Sequence, residues 1–456
     1  MKQIAIVVPG IMGSVLKLGS DTIWPGPPLS LVRSYKKMSQ LLDDGLAATD
    51  LIRSYTIFST QYQALIDDLG TCDFLEKPAP PAKPTLFVAP YDWRKSNSKT
   101  AKTLADKLDE AVAIHDGDAE ISLISHSMGG LISRYYLESG EFDERPAFSK
   151  IRRLLTLGTP HRGSPLALTA AIGKEKRLFL SASQVRELCS DPRFPSLYEL
   201  LPPPGEPFAW DERAGAEFAQ VDVYADEVAT GLNLEKANLD SARSFHSKLD
   251  INKRPKDVRY FFFVGTRQTT ISSVKLRKLT AGYEVRGTEL EDAGDGTVPS
   301  WSGMITGVQG QPVGGEHGEI YKNNNLRRTL AVLLGKAGVL AAPPGQLVEV
   351  SLRERVVYPN NIMHVALTFS AGLSRVDGEL RIERATLDAT GNLTGYASPE
   401  KAYPIHYAGL AAEKLGLTVT APSVRGIYRV AYYPKESPDP VGHDELFVQE
   451  TSSPPP

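Results

Sequence analysis

One serine stands in a turn that could make it a nucleophile. Ser127 follows the strand-like run Ile121–Ser125 and precedes Gly129 and Gly130 at the start of a helical pattern. A serine on a sharp strand-to-helix turn exposes its hydroxyl above a sheet, and this arrangement is called a nucleophile elbow. Ser125 replaces the first glycine of the usual G-x-S-x-G pattern and is small enough for a crowded turn. The alternative is an ordinary helix start with Ser125 or Ser127 as the N-cap.

An acid and a base follow this serine along the chain. A serine hydroxyl is a weak nucleophile at neutral pH, so it needs a base to take its proton and an acid to orient that base. In α/β-hydrolases the order is serine, acid, histidine. Asp295 lies between two glycines and His317 lies in a later glycine-rich loop. Asp292 is the rival acid and His161 the rival base, but His161 precedes both acids. We predict Ser127, Asp295 and His317 as the catalytic residues.

Two backbone N–H groups are expected to stabilise the negative charge that develops on a carbonyl oxygen. One belongs to Met128, directly after the serine, and the other to Ile11, in the loop after the first strand. Gly10 and Gly13 would let that loop approach a substrate closely. A phosphate-binding loop is disfavoured, because neither G-x-G-x-x-G nor a following Gly-Lys-Ser/Thr is present. The pattern therefore predicts acyl transfer.

Short apolar runs alternate with helical patterns over residues 1–340, the first predicted domain. The predicted buried strands are Ile4–Val8, Leu86–Ala89, Ile121–Ser125, Leu154–Leu157 and Tyr260–Val264. The predicted helices are Thr100–Ile114, Met128–Glu138 and Leu326–Gly335. This alternation predicts an α/β fold with a mostly parallel sheet, whose site lies at the carboxyl ends of the strands. Insertions at about 14–84 and 165–257 are expected to form caps or lids, with peripheral helical decoration as the alternative.

The pattern changes after a linker at 341–345 that contains proline and glycine. The β-rich runs that follow are Leu347–Val357, His364–Phe369, Glu379–Arg384, Leu415–Thr420 and Gly426–Tyr433. Asp377-Gly378 and Thr390-Gly391-Asn392 are turn signals between them. Residues 346–450 are therefore predicted to form an all-β, sandwich-like domain of immunoglobulin size. A disordered tail is expected at 451–456.

Composition narrows the class of partner and the compartment. The net charge of −3 gives no electrostatic case for nucleic acid or for an anionic membrane surface. No apolar run reaches the about 18 residues of a membrane span. The first ten residues are typical of a core strand rather than of a signal peptide. Cys72 and Cys189 are the only cysteines, so we expect a cytoplasmic protein, with a single disulfide between them as the alternative.

Five short segments of residues 1–335 match those of a known family. They are Val-Pro-Gly-Ile-Met-Gly-Ser at 8–14, Ala-Pro-Tyr-Asp-Trp-Arg at 89–94, Ser-His-Ser-Met-Gly-Gly at 125–130, Gly-Thr-Pro-His-Arg-Gly-Ser at 158–164 and Gly-Asp-Gly-Thr-Val-Pro at 294–299. Through them the chain resembles the lecithin:cholesterol acyltransferase-like branch of the α/β-hydrolases. The Tyr-Asp-Trp-Arg run is the most specific of the five. The β-rich part after residue 345 lies outside the resemblance.

The resemblance implies a lipid acyl hydrolase or O-acyltransferase that works through an acyl-enzyme on Ser127, without a cofactor or a metal. It supports Asp295 and His317 as acid and base, and Ile11 and Met128 as donors to the oxyanion. The implied partner is an acyl lipid or ester. We expect the chain to differ from the secreted members in having no signal peptide and no disulfide-closed lid.

Family members also have a membrane-touching cap and a mobile lid. Here Ile23 with Trp24, and the segment Leu166–Leu180, are where we expect them, so the cap could touch a membrane peripherally. Trp24, Tyr91 and Asp92 are the expected substrate-binding residues.

Two other function classes stay open. The chain could be an effector or interaction protein whose β-domain recognises a protein partner and whose hydrolase domain is the output. It could also hydrolyse soluble esters without any lipid interface.

Overall fold

The computed structural model describes residues 1–26, 35–56, 59–213, 219–336, 348–387, 393–435 and 437–449. The predicted linker at 341–345, the turn at 390–392 and the tail at 451–456 lie outside the described residues. The proposed domain boundary between 340 and 346 therefore also lies outside them.

The described strands and helices alternate through the first part of the chain, and strands alone follow. The strands are β1 (Lys2–Val8), β2 (Ser14–Leu18), β3 (Asp21–Trp24), β4 (Ala47–Leu51), β5 (Ser54–Thr56), β6 (Ser59–Thr60), β7 (Leu86–Val88), β8 (Ala119–His126), β9 (Ile151–Leu157), β10 (Ala209–Asp211), β11 (Arg259–Thr266), β12 (Gln268–Lys278), β13 (Tyr283–Gly294), β14 (Gln309–Gly314), β15 (Val348–Leu352), β16 (Val356–Val357), β17 (Ile362–Leu387), β18 (Leu393–Thr420), β19 (Gly426–Pro434) and β20 (Gly442–Val448). The α-helices are α1 (Met38–Leu41), α2 (Tyr62–Thr71), α3 (Asn97–Ile114), α4 (Met128–Glu138), α5 (Leu166–Ala171), α6 (Ala182–Cys189), α7 (Asp226–Gly231), α8 (Lys236–Ser247), α9 (Ser300–Gly303) and α10 (Asn324–Leu333). The 3₁₀ segments are Phe148–Lys150, Pro195–Leu200, Ile251–Lys253 and His317–Lys322.

The central sheet has six strands in the order β14-β11-β9-β8-β1-β7. All five strand pairs are parallel. The apolar run Ile4–Val8 is buried throughout, as expected for a strand with both faces covered. The α/β fold with a mostly parallel sheet, predicted from the sequence, is confirmed. Each of the five predicted strands lies in it.

The sequence missed the edge strand β14. Its residues, Gln309-Gly310-Gln311-Pro312-Val313-Gly314, contain neither an apolar run nor a regular alternation. A proline is tolerated there because an edge strand needs hydrogen bonds on one side only. This strand leads directly into the His317 loop, so its place in the sheet sets where that loop begins.

The two predicted insertions are built differently. The first contains the small antiparallel sheet β3-β2-β4 and helix α2. The second contains α5 to α8. Ile23 and Trp24 are both 0% exposed, and every residue of Leu166–Ala171 is buried. The expected membrane contact through Ile23 and Trp24 is therefore wrong, because these side chains belong to the protein core.

The C-terminal unit is all-β, as predicted. Its described strands form one sheet in the order β15-β17-β19-β20-β16, with β18 paired to β17. The expected turn at Asp377-Gly378 is wrong, because both residues lie inside the long strand β17. A Cβ on Gly378 would lie 2.4 Å from the Tyr433 carbonyl oxygen, so glycine permits close packing against β19 there.

No helix in the described ranges combines the length and apolar character that crossing a membrane requires. Cys72 and Cys189 are both free and buried. The alternative of a disulfide between them is wrong.

A buried carboxyl group ties the second insertion to helix α3. Glu199 is 0% exposed and lies in the 3₁₀ segment Pro195–Leu200. One carboxylate oxygen accepts a hydrogen bond from the Asn97 N–H at 2.6 Å, at the start of α3. The other accepts from the Ser241 hydroxyl at 2.7 Å. Burial raises the pKa of Glu199 to about 7, although these hydrogen bonds lower it in part.

Replacing Glu199 by glutamine is expected to make the free energy of unfolding less dependent on pH. The raised pKa means that the folded protein binds the proton more tightly than the unfolded chain. The stabilisation is therefore complete below about pH 4.5 and is lost as the pH rises through about 7. Over this pH range the free energy of unfolding of wild type should fall by on the order of 3 kcal/mol. That of E199Q should not show this fall.

Urea unfolding at pH 5 and pH 8 measures the difference. Glu187→Gln, at an exposed carboxylate of α6, is the matched control and should follow wild type. Identical pH dependence for E199Q and wild type would contradict the assignment.

Candidate active site

The turn at Ser127 has the backbone of a strained elbow. β8 ends at His126, α4 begins at Met128, and Ser127 between them has φ 52° and ψ −126°. A non-glycine residue in this region costs about 1–3 kcal/mol unless its surroundings hold it there. Ser125 is fully buried and its hydroxyl is 2.8 Å from that of Ser133. A small polar residue thus fits where the usual pattern has glycine.

The backbone of Ser127 is held by its neighbours on β9 and in the following loop. Its N–H donates to the Leu157 carbonyl at 2.9 Å. Its carbonyl oxygen accepts from the Thr159 hydroxyl at 2.9 Å and from the Gly130 N–H at 3.0 Å. A Cβ on Gly130 would lie 2.0 Å from that threonine hydroxyl, so only glycine fits here.

Ser127, His317 and Asp295 form one chain of hydrogen bonds. The distance from Ser127 Oγ to His317 Nε2 is 2.8 Å, and that from His317 Nδ1 to Asp295 Oδ2 is 2.8 Å. An ionised carboxylate can only accept, so Nδ1 carries the proton and Nε2 accepts from the serine hydroxyl. Three residues that are far apart in the sequence are thus brought together at the carboxyl ends of the parallel strands.

Asp295 is oriented by the tight turn that contains it. The residue is 0% exposed. Its Oδ1 accepts from the Val298 N–H at 2.7 Å and from the Thr297 N–H at 3.1 Å, leaving Oδ2 for His317. The His317 N–H also donates to the Asp295 carbonyl at 2.9 Å, so backbone and side chain both connect the two residues.

The rival acid and base lie elsewhere. Asp292 is exposed on β13. The His161 ring stacks on Phe262 with centroids 3.7 Å apart, and its Nε2 is 3.0 Å from the Thr156 hydroxyl. Burial lowers the pKa of His161 well below its usual value, so it is a neutral core residue.

The loop that carries Ile11 is held at several backbone atoms. The Tyr91 hydroxyl donates to the Pro9 carbonyl at 2.8 Å, and the Trp24 indole N–H donates to the Met12 carbonyl at 3.0 Å. The Gly10 N–H donates to the Tyr62 hydroxyl at 2.8 Å. None of these contacts uses the Ile11 N–H, which has no acceptor among the described residues.

This loop lies directly against the serine. A Cβ on Gly10 would lie 2.7 Å from the Ser127 Cβ and 3.3 Å from its Oγ. Met128 is the first residue of α4, so its N–H has no partner within the helix. Met128 thus offers an N–H at a helix N-terminus, which favours negative charge, and Ile11 stays the predicted second donor.

His126 is the residue that sequence reasoning missed. Its Nε2 donates to the His317 carbonyl at 2.9 Å. Its Nδ1 therefore accepts from the Tyr62 hydroxyl at 2.7 Å, the same hydroxyl that accepts from Gly10. Burial and then the nearby His317 lower the pKa of His126 to about 3, so the ring stays neutral. This bridge connects the Ile11 loop to the His317 loop.

The sequence carries little signal for this bridge. His126 adjoins the serine, but its ring direction depends on the elbow geometry. Tyr62 opens helix α2 in the first insertion, with no motif around it. Only the folded chain brings Tyr62 and His126 together.

The three expected substrate-binding residues contact the protein itself. Trp24 and Tyr91 hold the Ile11 loop, as described above. Asp92 forms a two-pronged ion pair with the fully buried Arg94, with distances of 2.8 and 2.7 Å. Arg94 in turn donates to the Asp43 carbonyl at 2.8 Å. The contacts seen for these side chains hold neighbouring parts of the protein in place. Contact with a substrate stays a prediction for Trp24, Tyr91 and Asp92.

The chemistry available here is that of a hydroxyl activated by a base. The imidazole can take the serine proton, and the buried carboxylate stabilises the imidazolium that results. Within the described ranges, no group of three or more His, Cys, Asp or Glu side chains is arranged to hold a metal ion. The described groups thus suit attack on a carbonyl carbon.

Comparison with known proteins finds one family whose model matches the central part of the chain. Residues 36–260 match the family described as lecithin:cholesterol acyltransferase. The matched part contains Ser127 and the Tyr-Asp-Trp-Arg segment, while Ile11, Asp295 and His317 lie outside it.

Two relatives from Arabidopsis thaliana are similar to this chain. Lecithin-cholesterol acyltransferase-like 4 is 26% identical over 301 residues, which cover 54% of each chain. Phospholipase A(1) LCAT3 is 31% identical over 140 residues, which cover 28% of this chain and 29% of the relative. The chain therefore spans about half the length of the first relative and less than a third of the second.

Among solved structures, phospholipase PlaB from Legionella pneumophila aligns with 98% of this chain and 90% of its own, at 10% identity and a TM-score of 0.25. That score is too low to support an argument about function. The likeness in sequence rests on the matched region and on the two relatives. Through them, the chain is similar to the lecithin:cholesterol acyltransferase-like family.

Proposed function

We propose that this protein is a serine-dependent lipid acyl hydrolase or O-acyltransferase that forms an acyl-enzyme on Ser127. The observation that carries the proposal is the continuous hydrogen-bonded chain from Ser127 Oγ through His317 to Asp295, with both distances at 2.8 Å. The match of residues 36–260 to the lecithin:cholesterol acyltransferase family supports acyl transfer as the reaction class.

In the acylation step, Ser127 Oγ attacks the carbonyl carbon of an ester while His317 Nε2 takes the hydroxyl proton. The carbonyl oxygen becomes an oxyanion, which the N–H groups of Ile11 and Met128 stabilise by hydrogen bonding. His317 then returns the proton to the leaving alkoxide. The ester C–O bond breaks, and the acyl group stays on the serine.

In the second step, water or an alcohol attacks the acyl-enzyme. His317 takes the proton of the attacking hydroxyl, and the serine leaves with a proton from the same imidazole. Water gives a free fatty acid, whereas an alcohol gives a new ester. The choice between them depends on how well water is excluded from Ser127, a residue that is only 4% exposed.

An acyl lipid is the proposed substrate class. One relative is named a phospholipase A(1) and another is named for lecithin-cholesterol acyltransferase, so a phospholipid is the first substrate to test. A cytoplasmic location and a protein partner for the C-terminal unit stay predictions from the sequence.

Replacing Ser127 by alanine is expected to abolish turnover of a short-chain p-nitrophenyl ester without unfolding the protein. Loss of a catalytic serine that acts with its base typically costs about 10⁶-fold in kcat. The spectrophotometric rate of S127A measures this. The matched control is Ser133→Ala, since Ser133 is also buried but bonds Ser125 instead of His317. If S127A turned over the ester at close to the wild-type rate, the proposal would be wrong.

Replacing Tyr62 by phenylalanine is expected to lower kcat about tenfold with little change in KM. The variant leaves the Gly10 N–H and His126 Nδ1 without the shared hydroxyl, and unsatisfied buried groups cost about 1–3 kcal/mol each. The Ile11 loop and the His317 loop then lose their common partner.

Tyr224→Phe is the control for this variant. It also removes one buried hydroxyl, which donates to the Pro202 carbonyl at 3.0 Å rather than to the loops around Ser127. Steady-state kinetics of both variants separate the two effects. Equal kcat in Y62F and wild type would show that the bridge does not position the site.

Incubation with mixed phospholipid vesicles, followed by lipid mass spectrometry, is expected to show loss of an acyl chain from phospholipid. Free fatty acid as the product indicates hydrolysis, and a new ester indicates acyl transfer to an alcohol. S127A is the control and should leave the vesicles unchanged. Activity on soluble esters with none on vesicles or micelles would instead favour a soluble-ester hydrolase.

A further inference from the structure

The C-terminal sheet shares a core with the rest of the protein. Val356, Ile427 and Phe447 lie in the same buried cluster as the strands of the central sheet. Two routes lead from this contact toward Ser127, and both start on β16, β20 and the turn before β16.

The first route reaches the loop of the proposed base. Arg355 lies in the turn before β16, and its guanidinium is 2.8 Å from Asp444 Oδ1 and in direct contact with Glu319 Oε1. The three side chains are 17%, 4% and 7% exposed. Glu319 is the third residue of the 3₁₀ segment that begins at His317, so this ion pair acts on the segment that carries the base.

Arg355 is itself held rigidly by β20. Its carbonyl oxygen accepts from the Phe447 N–H at 2.7 Å. Asp444 Oδ2 accepts from the Leu352 N–H at 2.9 Å, and its Oδ1 accepts from the Glu445 N–H at 2.7 Å. The C-terminal sheet therefore presents a pre-organised Arg–Asp pair to Glu319.

Arg355 supplies positive charge to a cluster of buried carboxyl groups. Burial raises the pKa of Glu316 well above its usual value, that of Glu349 to about 7 and that of Asp444 to about 6. Burial also acts on Glu319, but Arg355 and Lys322 together lower its pKa to about 2. Without the guanidinium, Lys322 alone would pair with Glu319, and this buried negative charge beside other carboxyl groups would be less well compensated.

The second route reaches the Ile11 loop through aromatic contacts. The rings of Phe447 and Phe179 are 5.5 Å apart and nearly perpendicular. Phe179 is 6.1 Å from Trp24, whose indole N–H donates to the Met12 carbonyl. Strand β20, which carries both Asp444 and Phe447, thus contributes to both sides of the site.

We propose that Arg355 is a positioning residue, through which the C-terminal sheet holds His317 in line with Ser127 by way of Glu319. The C-terminal unit then helps to position the proposed base. This inference rests on the proposed function, in which His317 is the base. A 1 Å displacement of a catalytic group can cost about 10²-fold in rate.

The test compares R355M with R353M in the full chain. Arg353 lies two residues away in the same turn and also crosses to the first part of the chain, but it pairs with Glu289 on β13 at 2.8 Å. R355M is expected to lower kcat for a p-nitrophenyl ester about 10²-fold with KM within about twofold. R353M should keep the wild-type kcat, and R355K should recover most of the loss.

A second readout does not depend on turnover. The Nδ1 proton that His317 shares with Asp295 should give a far-downfield resonance in the NMR spectrum of ¹⁵N-histidine-labelled protein. R355M should broaden or abolish this resonance, while R353M should retain it. If R355M does not fold by circular dichroism, E319Q takes its place, because Arg355 then keeps Asp444.

An unchanged kcat and an unchanged resonance in R355M, or in E319Q where R355M does not fold, would overturn the inference. If R353M lost kcat and the resonance to the same extent, Arg355 would act only as a general interface residue. That result would also overturn the inference. Failure of the proposed function looks different. In that case wild type and S127A would turn over esters equally, while the resonance would still report whether Arg355 positions His317.

Discussion

The arrangement of the site depends on one strained peptide. Ser127 has a φ of 52°, which places its hydroxyl beyond the end of β8 and starts α4 in the same step. The conformation persists because Leu157 holds its N–H while Thr159 and Gly130 hold its carbonyl. Leu157 ends β9, the parallel neighbour of β8, so the sheet register sets the position of the serine. Strain of this kind persists only where the surroundings over-determine it, and it supports Ser127 as the proposed nucleophile.

A second constraint is that every buried polar group near the serine needs a partner. The Tyr62 hydroxyl is the partner of two such groups, because it accepts from the Gly10 N–H and donates to His126 Nδ1. His126 then donates to the His317 carbonyl, so one neutral network connects the Ile11 loop with the His317 loop. Trp24 and Tyr91 add further bonds to the backbone of the Ile11 loop. Two loops joined by one hydrogen-bond network are held at a defined spacing from Ser127, and such pre-organisation can stabilise a developing charge.

The β-rich unit takes part in the same organisation. Its sheet contributes Val356, Ile427 and Phe447 to the main core and Arg355 to the acidic surroundings of the His317 loop. A buried guanidinium among several carboxyl groups is costly to form and costly to break, so such a pair specifies one geometry more than it adds stability. That property suits an element that orients a base.

The sequence by itself determined the parts of this protein that depend on local pattern. Apolar runs between helical patterns predicted five of the six strands of the parallel sheet, because strands covered on both faces are apolar. The order of Ser127, Asp295 and His317 was readable because the acid and the base each lie among glycines and follow the serine in the order of an α/β-hydrolase. The five motifs indicated a resemblance to a known family. Strand β14 was not readable, because its residues form neither an apolar run nor a regular alternation. Only the tertiary structure decided that Trp24 and Tyr91 support a loop, that His126 bonds the His317 carbonyl, and that Arg355 reaches Glu319. These contacts join residues far apart in the chain, and their partners follow from packing and hydrogen-bond satisfaction in three dimensions.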